Sequence, residues 1–343
     1  MSMVINGTSG ITFPDGSLQG IGVGRRNLII NGAMQVWQRG TSATGVTSTN
    51  FNTVDRFMAN YGGGSAAGTH SIERSTDVPS GFNYSIKITH SGASATPNEY
   101  AIRTFLEMQD IKQLIGKTAV FSFYYKSNRT GTHAYRFAHN SITGASEVNG
   151  TFTVTAADTW ERKEIVITQL ESATGTSTSD NSWGIHLDCG PRAYGGVSSF
   201  DDGDYFAVTG VQLEVGSVAT PFEHRSYGEE LALCQRYYEK SYSQGVTPGT
   251  SFGYNENPVQ MSGPLYNYHS ISCMFAVEKR ASPTIVSYGH AGTSGKVSGD
   301  AGGTLAEVNA EAVRKNTRGL MVRQVGGTNY YGVTYAWTAD SEL

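Results

Sequence analysis

Charge and cysteine are both scarce in this chain of 343 residues. Only 16% of the residues are Asp, Glu, Lys or Arg, too few to coat the solvent faces of many amphipathic helices, so a helical bundle is disfavoured. The three cysteines, Cys189, Cys234 and Cys273, are too few and too widely spaced for a disulfide framework or a CxxC zinc site; they read as small buried apolar residues. No stretch approaches the roughly 20 apolar residues that cross a bilayer, which argues against membrane insertion. The start, MSMVINGTSG, has neither the basic flank nor the apolar centre of a secretory signal, so synthesis in a cytoplasm is expected. A formal net charge of −4 gives no basic field to attract nucleic acid. Catalytic signatures are missing too: there is no GxSxG elbow, no HExxH, no phosphate-cradling glycine loop with its Lys, and the eight histidines stand singly. The expectation is a protein that is not an enzyme and needs no cofactor.

Glycine and aromatic residues are abundant. Forty-two Gly and 11% Phe, Trp and Tyr describe short, turn-separated strands, so the fold class is all-β, and the length suggests two compact units. The first 26 residues alternate small apolar residues with Gly, Ser and Asn around the turns Asn6-Gly7 and Asp15-Gly16, an extended stem without a core of its own. Strands are expected at Leu28–Ile30 and around Val36 and Trp37, joined by a turn at Asn31-Gly32. Further strands follow at Arg56–Tyr61, Tyr84–Thr89, Thr118–Lys126, Ala134–His139, Gly150–Val154, Trp160–Thr168, Ser182–Asp188 and Tyr205–Val215. The alternation in Ser85–Thr89 and Lys163–Thr168 is that of a half-buried sandwich strand. Apolar residues at three-to-four spacing predict a short helix over Phe105–Gly116, and Glu229 and Glu230 near the start with Lys240 at the end predict a second over Tyr227–Lys240. Beyond Ser241 the strand pattern resumes at Ser270–Val277, Thr284–Tyr288, Arg318–Val325 and Thr328–Thr338, a second and smaller β unit.

Two groups of residues can carry function. Asp201, Asp202 and Asp204 surround Gly203; they read first as a solvated hairpin turn, and alternatively as oxygen ligands for a structural calcium ion. Aromatic rings on loops present flat faces on which sugars stack. The candidate saccharide contacts are Tyr61, Trp183 and Tyr194 and, towards the C-terminus, Tyr254, Tyr266, Tyr268, Tyr330 and Tyr331, although aromatics equally populate protein interfaces. Trp37, Phe121, Phe123, Trp160 and Phe206 lie inside strand patterns and are assigned to the core.

Three segments carry a resemblance. NLIINGAMQVWQRGTS (27–42), followed by Val54-Asp55-Arg56-Phe57, resembles the opening of a carbohydrate-binding jelly-roll domain found in phage tail fibre proteins, with Phe57 where that family usually has Trp. GKTAVFSFYYKS (116–127), with Asp158-Thr159-Trp160, is similar to its middle strands. VTGVQLEVGSVATPFEHRSYGEELALCQRYYEK (208–240) resembles the segment that closes the jelly roll and leads into a helix. GTSGITFPDGS near the N-terminus and YAWTADSEL at the C-terminus are similar to the starts and endings of such fibres.

The resemblance implies a stem at 1–26, a jelly-roll β-sandwich at 27–226, and a linking helix with a smaller β domain at 227–343. It further implies a homotrimer in the virion tail, held to other tail or baseplate proteins through the stem and recognising a host surface saccharide or receptor. Sugar-binding jelly rolls often hold calcium through an Asp in the last strand; here Val208-Thr209-Gly210-Val211 stands in that region, so no ion is expected from the resemblance. The rival expectations are a non-receptor virion protein, such as a capsid decoration or baseplate adaptor, and a polysaccharide-degrading spike, which would need a carboxylate pair that the sequence does not display.

Overall fold

The computed structural model describes residues 4–6, 10–12, 18–19, 25–62, 68–92, 99–111, 114, 116–139, 147–168, 183–192, 201–253, 260–265, 270–300, 304–325 and 330–342. The architecture is all-β, with two short helices among the described residues. Among the described residues no helix is long and apolar enough to cross a membrane. In the N-terminal segment β1 (Val4–Asn6), β2 (Gly10–Thr12) and β3 (Leu18–Gln19) pair in chain order as an antiparallel meander.

The next unit is a jelly-roll sandwich. Its strands are β4 (Ser42–Val46), β5 (Phe57–Gly62), β6 (Thr69–Ser75), β7 (Ser85–Ser91), β8 (Glu99–Glu107), β9 (Ala119–Ser127), β10 (Gly131–His139), β11 (Glu147–Val154), β12 (Glu161–Ile167), β13 (Trp183–Arg192) and β14 (Tyr205–Val215). One sheet has the order β11-β10-β13-β8-β5 and the other β12-β9-β14-β7-β6-β4. Period-two alternation turns Phe121, Phe123 and Tyr125 of β9, Ile86 and Ile88 of β7, and Phe206 and Val208 of β14 into the space between the sheets. There they meet Phe57, Tyr100, Ile102, Phe137 and Leu187 of the opposite sheet. Each fully buried Phe contributes about 1.5–3 kcal/mol by leaving water.

Two local expectations are corrected. Leu28–Trp37 forms no strand. Asn31, fully buried and left-handed (φ 61°), accepts from the Gln35 and Val36 N–H groups and donates its amide to the Val36 and Asp55 carbonyls, so the chain curls where a strand would run straight. Gly32 is required beside it, because a Cβ there would lie 2.1 Å from the Val211 carbonyl oxygen. Among the described residues, the helix expected over Phe105–Gly116 is confined to α1 (Met108–Ile111). Phe105, Leu106 and Glu107 instead extend β8, opposite His186, Ile185 and Trp183, because ladder hydrogen bonds with β13 override the helical spacing.

α2 (Tyr227–Gln235), capped by Ser226, whose Oγ accepts from the Glu229 N–H, leads out of the sandwich. It ends five residues before the expected Lys240, since Tyr238–Lys240 is pulled into a sheet as β15. The remaining strands are β16 (Gln260–Leu265), β17 (Ser270–Met274), β18 (Thr284–Tyr288), β19 (Lys296–Asp300), β20 (Leu305–Lys315), β21 (Gly319–Gln324), β22 (Tyr330–Thr334) and β23 (Ala336–Asp340). They form a sheet β15-β23-β18 and a sheet β16-β22-β19-β20-β21-β17. The single strand expected at Thr328–Thr338 divides at Tyr335, where the chain crosses from one sheet to the other. A second apolar cluster around Phe275, Val322, Tyr335 and Trp337 lies between these sheets.

Ionic side chains join this unit to the sandwich. Arg39 pairs with Asp55 (3.4 Å), Asp340 (3.1 Å) and Glu342 (3.4 Å), and the buried Arg56 pairs with Glu342 while stacking over Tyr237 (3.4 Å). Glu107, fully buried, accepts two bonds from Arg236 (2.8 Å each) and one from the Tyr237 hydroxyl (2.5 Å). Burial pushes the Asp55 carboxyl up to about 6 in spite of Arg39 and the Gln38 N–H.

Candidate functional site

Tyr61 and Tyr330 are not presented to ligand. Tyr61, one residue before the end of β5, has its ring inside the sandwich, 6% exposed and edge-on to His70 at 3.9 Å. Tyr330 is 6% exposed and covers Gly299, where an added Cβ would lie 2.3 Å from its ring. Both rings are packing residues, which corrects their assignment as saccharide contacts. Trp183 opens β13 opposite Glu107, and Tyr331 lies in β22 beside Tyr330. Tyr194, Tyr254, Tyr266 and Tyr268 lie outside the described residues.

The acidic run forms a turn immediately before β14. Arg129 pairs with Asp201 (3.0 Å) and Asp204 (3.3 Å), Asp204 accepts from the Asp201 N–H (2.8 Å), and Asp202 accepts from the Gly92 N–H (2.9 Å). Gly203 turns the chain at φ 85°. These carboxylates are directed at a guanidinium and at N–H groups. Among the described residues no group of three or more His, Cys, Asp or Glu is placed to hold a metal ion.

A different set of side chains is gathered on the outer face of the six-stranded sheet. In β7, β9 and β14 the alternate positions that do not enter the core point outward, and the register aligns them. Ala207 is the cross-strand partner of both Lys126 and Lys87, and Lys87 is the partner of Glu73. Trp160, next to Glu161 at the start of β12, continues the row beyond Lys126, because Glu161 faces Tyr125. The middle of the row is a methyl group between two lysines, with Tyr205 two residues along the same strand.

The polar atoms here are tied together. The Trp160 indole N–H donates to Asp77 (3.0 Å), and the Lys126 ammonium donates to the other oxygen of the same carboxylate (2.6 Å). Asp77 reaches them from the β6–β7 connection, held down where its carbonyl accepts from the Ser85 hydroxyl (2.9 Å). The Tyr205 hydroxyl donates to Asp158 (2.5 Å), Lys87 lies 4.9 Å from the Tyr205 ring centre, and Lys87 pairs with Glu73 (3.1 Å). Burial alone would raise the Asp77 carboxyl, but bonds from Lys126 and Trp160 outweigh it and hold the group below its ordinary range. Burial, then the bond to Asp158 and its charge, pushes the Tyr205 hydroxyl upward.

A second layer orients the rings. Asp158 is left-handed (φ 56°), a conformation Asp tolerates, and its N–H donates to the Ser127 carbonyl (2.8 Å), so the 156–160 turn is pinned to β9. Glu161 accepts from the Thr155 and Ala156 N–H groups (2.8 and 2.9 Å). Burial works against its ionisation, yet bonds from Lys163 and from these groups hold its carboxyl down to about 2. Beside this row, Phe82, Tyr124, Phe222 and His224 cluster edge to face around Gly210, where a Cβ would meet Phe82 at 2.7 Å.

Trp160 is therefore a surface residue and not part of the core, a second correction. Its place was readable: it shares the phase of Arg162 and Glu164, the outward positions of β12, and not that of Ile165 and Ile167. Asp77 had no such signal, because only the fold brings its loop over β9.

No family model matches the chain. No curated protein matches it in sequence at a significant level. Among solved structures, the enzymatically active domain of tailspike protein 4 from bacteriophage CBA120 is similar over 55% of this chain, at 11% identity and a TM-score of 0.33; the match spans 21% of that tailspike chain. A xylan-binding module of carbohydrate-binding family 22 from Paenibacillus barcinonensis is similar over 47% of this chain and 92% of its own, at 13% identity and a TM-score of 0.32. The C-terminal family 22 carbohydrate-binding module of Clostridium thermocellum Xyn10B is similar over 53% of this chain and 98% of its own, at 12% identity and a TM-score of 0.33.

Proposed function

We propose that this chain is a non-catalytic carbohydrate-binding protein that grips glycan on the outer face of its six-stranded sheet and serves as the receptor-binding part of a phage tail fibre. The observation that carries the binding role is the Trp160–Asp77–Lys126 and Tyr205–Asp158 arrangement. It places two half-exposed rings beside carboxylates and ammonium groups already fixed by their mutual bonds. Sugars are recognised by such a pairing of apolar ring faces with oriented donors and acceptors, and little side-chain freedom is lost on binding when the groups are pre-organised. The virion role is supported by the resemblance of residues 27–42, 116–127 and 208–240 to tail fibre sequences. In this reading the protein is a homotrimer in the tail, attached through residues 1–26.

The test is adsorption of fluorescently labelled protein to a panel of host cells, with and without periodate oxidation of surface sugars. Periodate-sensitive binding that falls at least about tenfold in Trp160→Ala, with far-ultraviolet dichroism and melting unchanged, is expected. Binding that survives both treatments would overturn the reading.

A further inference from the structure

We infer that the glycan taken by this face is neutral and that acidic saccharides are turned away, an inference that rests on the carbohydrate reading above. Each cation of the cross-strand arrangement already faces a carboxylate: Lys87 faces Glu73 at 3.1 Å, Lys126 faces Asp77 at 2.6 Å, and Arg162 faces Glu164 at 3.0 Å. Asp158 adds a fourth carboxylate, bound to the Tyr205 hydroxyl. Three cations against four carboxylates leave a formal charge of −1 on the face.

The arrangement discriminates by charge. Lys126 and Lys87 flank Ala207 on adjacent strands, where a uronic carboxylate or a phosphate would be expected to seat. At either ammonium such a group would sit beside Asp77 or Glu73, and close to Asp158, as a like charge. Neutral hydroxyls meet no such opposition. They accept from the lysines and donate to the remaining lone pairs of Asp77, whose side chain is 55% exposed even while it holds Trp160 and Lys126. The rings contribute equally to neutral and acidic sugars, so the charged frame alone decides between them.

The test is a glycan array carrying neutral and acidic bacterial saccharides, probed with the full chain, Trp160→Ala and Asp77→Asn at 50 and 500 mM NaCl. The expected result is binding to neutral glycans that changes less than about twofold between the two salt concentrations and is lost in Trp160→Ala. Asp77→Asn, which keeps an acceptor for Trp160 but releases Lys126, should gain about tenfold for acidic glycans, in a salt-sensitive way. Acidic glycans bound as well as neutral ones by the unaltered chain, or no gain in Asp77→Asn, would overturn the inference while leaving the carbohydrate reading intact. No glycan bound, or binding indifferent to Trp160→Ala, removes that reading and the inference with it.

Discussion

His70 shows how a single side chain links packing to pH. It is 1% exposed, enclosed by the rings of Tyr61, Tyr100 and His90, and burial, with a smaller contribution from His90, lowers its pKa to about 4. In the unfolded chain it titrates near its ordinary value of about 6.5. Between those two values the unfolded state binds the extra proton, so this contribution is complete above pH about 6.5 and is lost as pH falls towards 4. Asp55 runs the other way: its raised pKa contributes stability at low pH that is lost as pH rises through about 6. Comparing variants removes that background. His70→Phe should flatten the fall in stability between pH 6.5 and 4 by on the order of 2–3 kcal/mol, read from urea unfolding across pH; an unchanged slope would show that His70 does not titrate there. At this scale the sequence was only partly legible. Trp37, Phe121, Phe123 and Phe206 were placed correctly in the core. Tyr61 was misplaced because the glycines after it suggest a loop, whereas the ring belongs to the last inward position of β5. Asp77 and Asp158 acquire their roles only when separate connections converge on one sheet face.

At the scale of elements, hydrophobic alternation identified most of the sandwich, and the strands at Tyr205–Val215 and Thr284–Tyr288 have the boundaries expected. β4, β6, β8, β15, β16, β19 and β20 were not anticipated. β4 and β6 are edge-side strands whose sequences, SATGV and THSIERS, carry little apolar alternation; partners rather than propensity make them strands. The failed helix over Phe105–Gly116 has the same cause, since local spacing lost to pairing with β13. The C-terminal strand makes a testable contribution. Beyond β23, Glu342 places its carboxylate between Arg39 and Arg56, while Arg280 donates to the Ser341 and Glu342 carbonyls (2.9 Å each). Arg56 is 1% exposed, and losing its carboxylate would leave its charge with the Phe105 carbonyl (2.7 Å) and the Tyr237 ring. Glu342→Gln should therefore cost about 3–5 kcal/mol, the penalty of leaving a buried ion without its counter-ion. Replacing the pair together, Arg56→Met with Glu342→Leu, should recover much of that loss in a double-mutant cycle by denaturant unfolding. Equal losses in the single and double variants would show that the junction depends on shape rather than on charge pairing.

For the whole molecule, the shallow and pre-formed face sets an expectation about strength. A face of two half-exposed rings and a few oriented polar groups supports only weak binding of one saccharide, on the order of millimolar. An oligomer meeting a repetitive glycan surface turns the later contacts into intramolecular ones, and avidity then exceeds single-site affinity by roughly 10²–10⁴ without any new contact. The predicted signature is a gap between two measurements on the same preparation. Titration calorimetry with a soluble oligosaccharide chosen from the array should give the weak constant, and binding to cells displaying that glycan should give an apparent constant at least about a hundredfold lower. Trp160→Ala should lower both together, because each site is altered identically, whereas raising the soluble saccharide to its own dissociation constant should disturb cell binding only slightly. Equal constants in solution and on cells would mean that each particle engages through one site, and the homotrimeric arrangement proposed for the fibre would then have no part in adsorption.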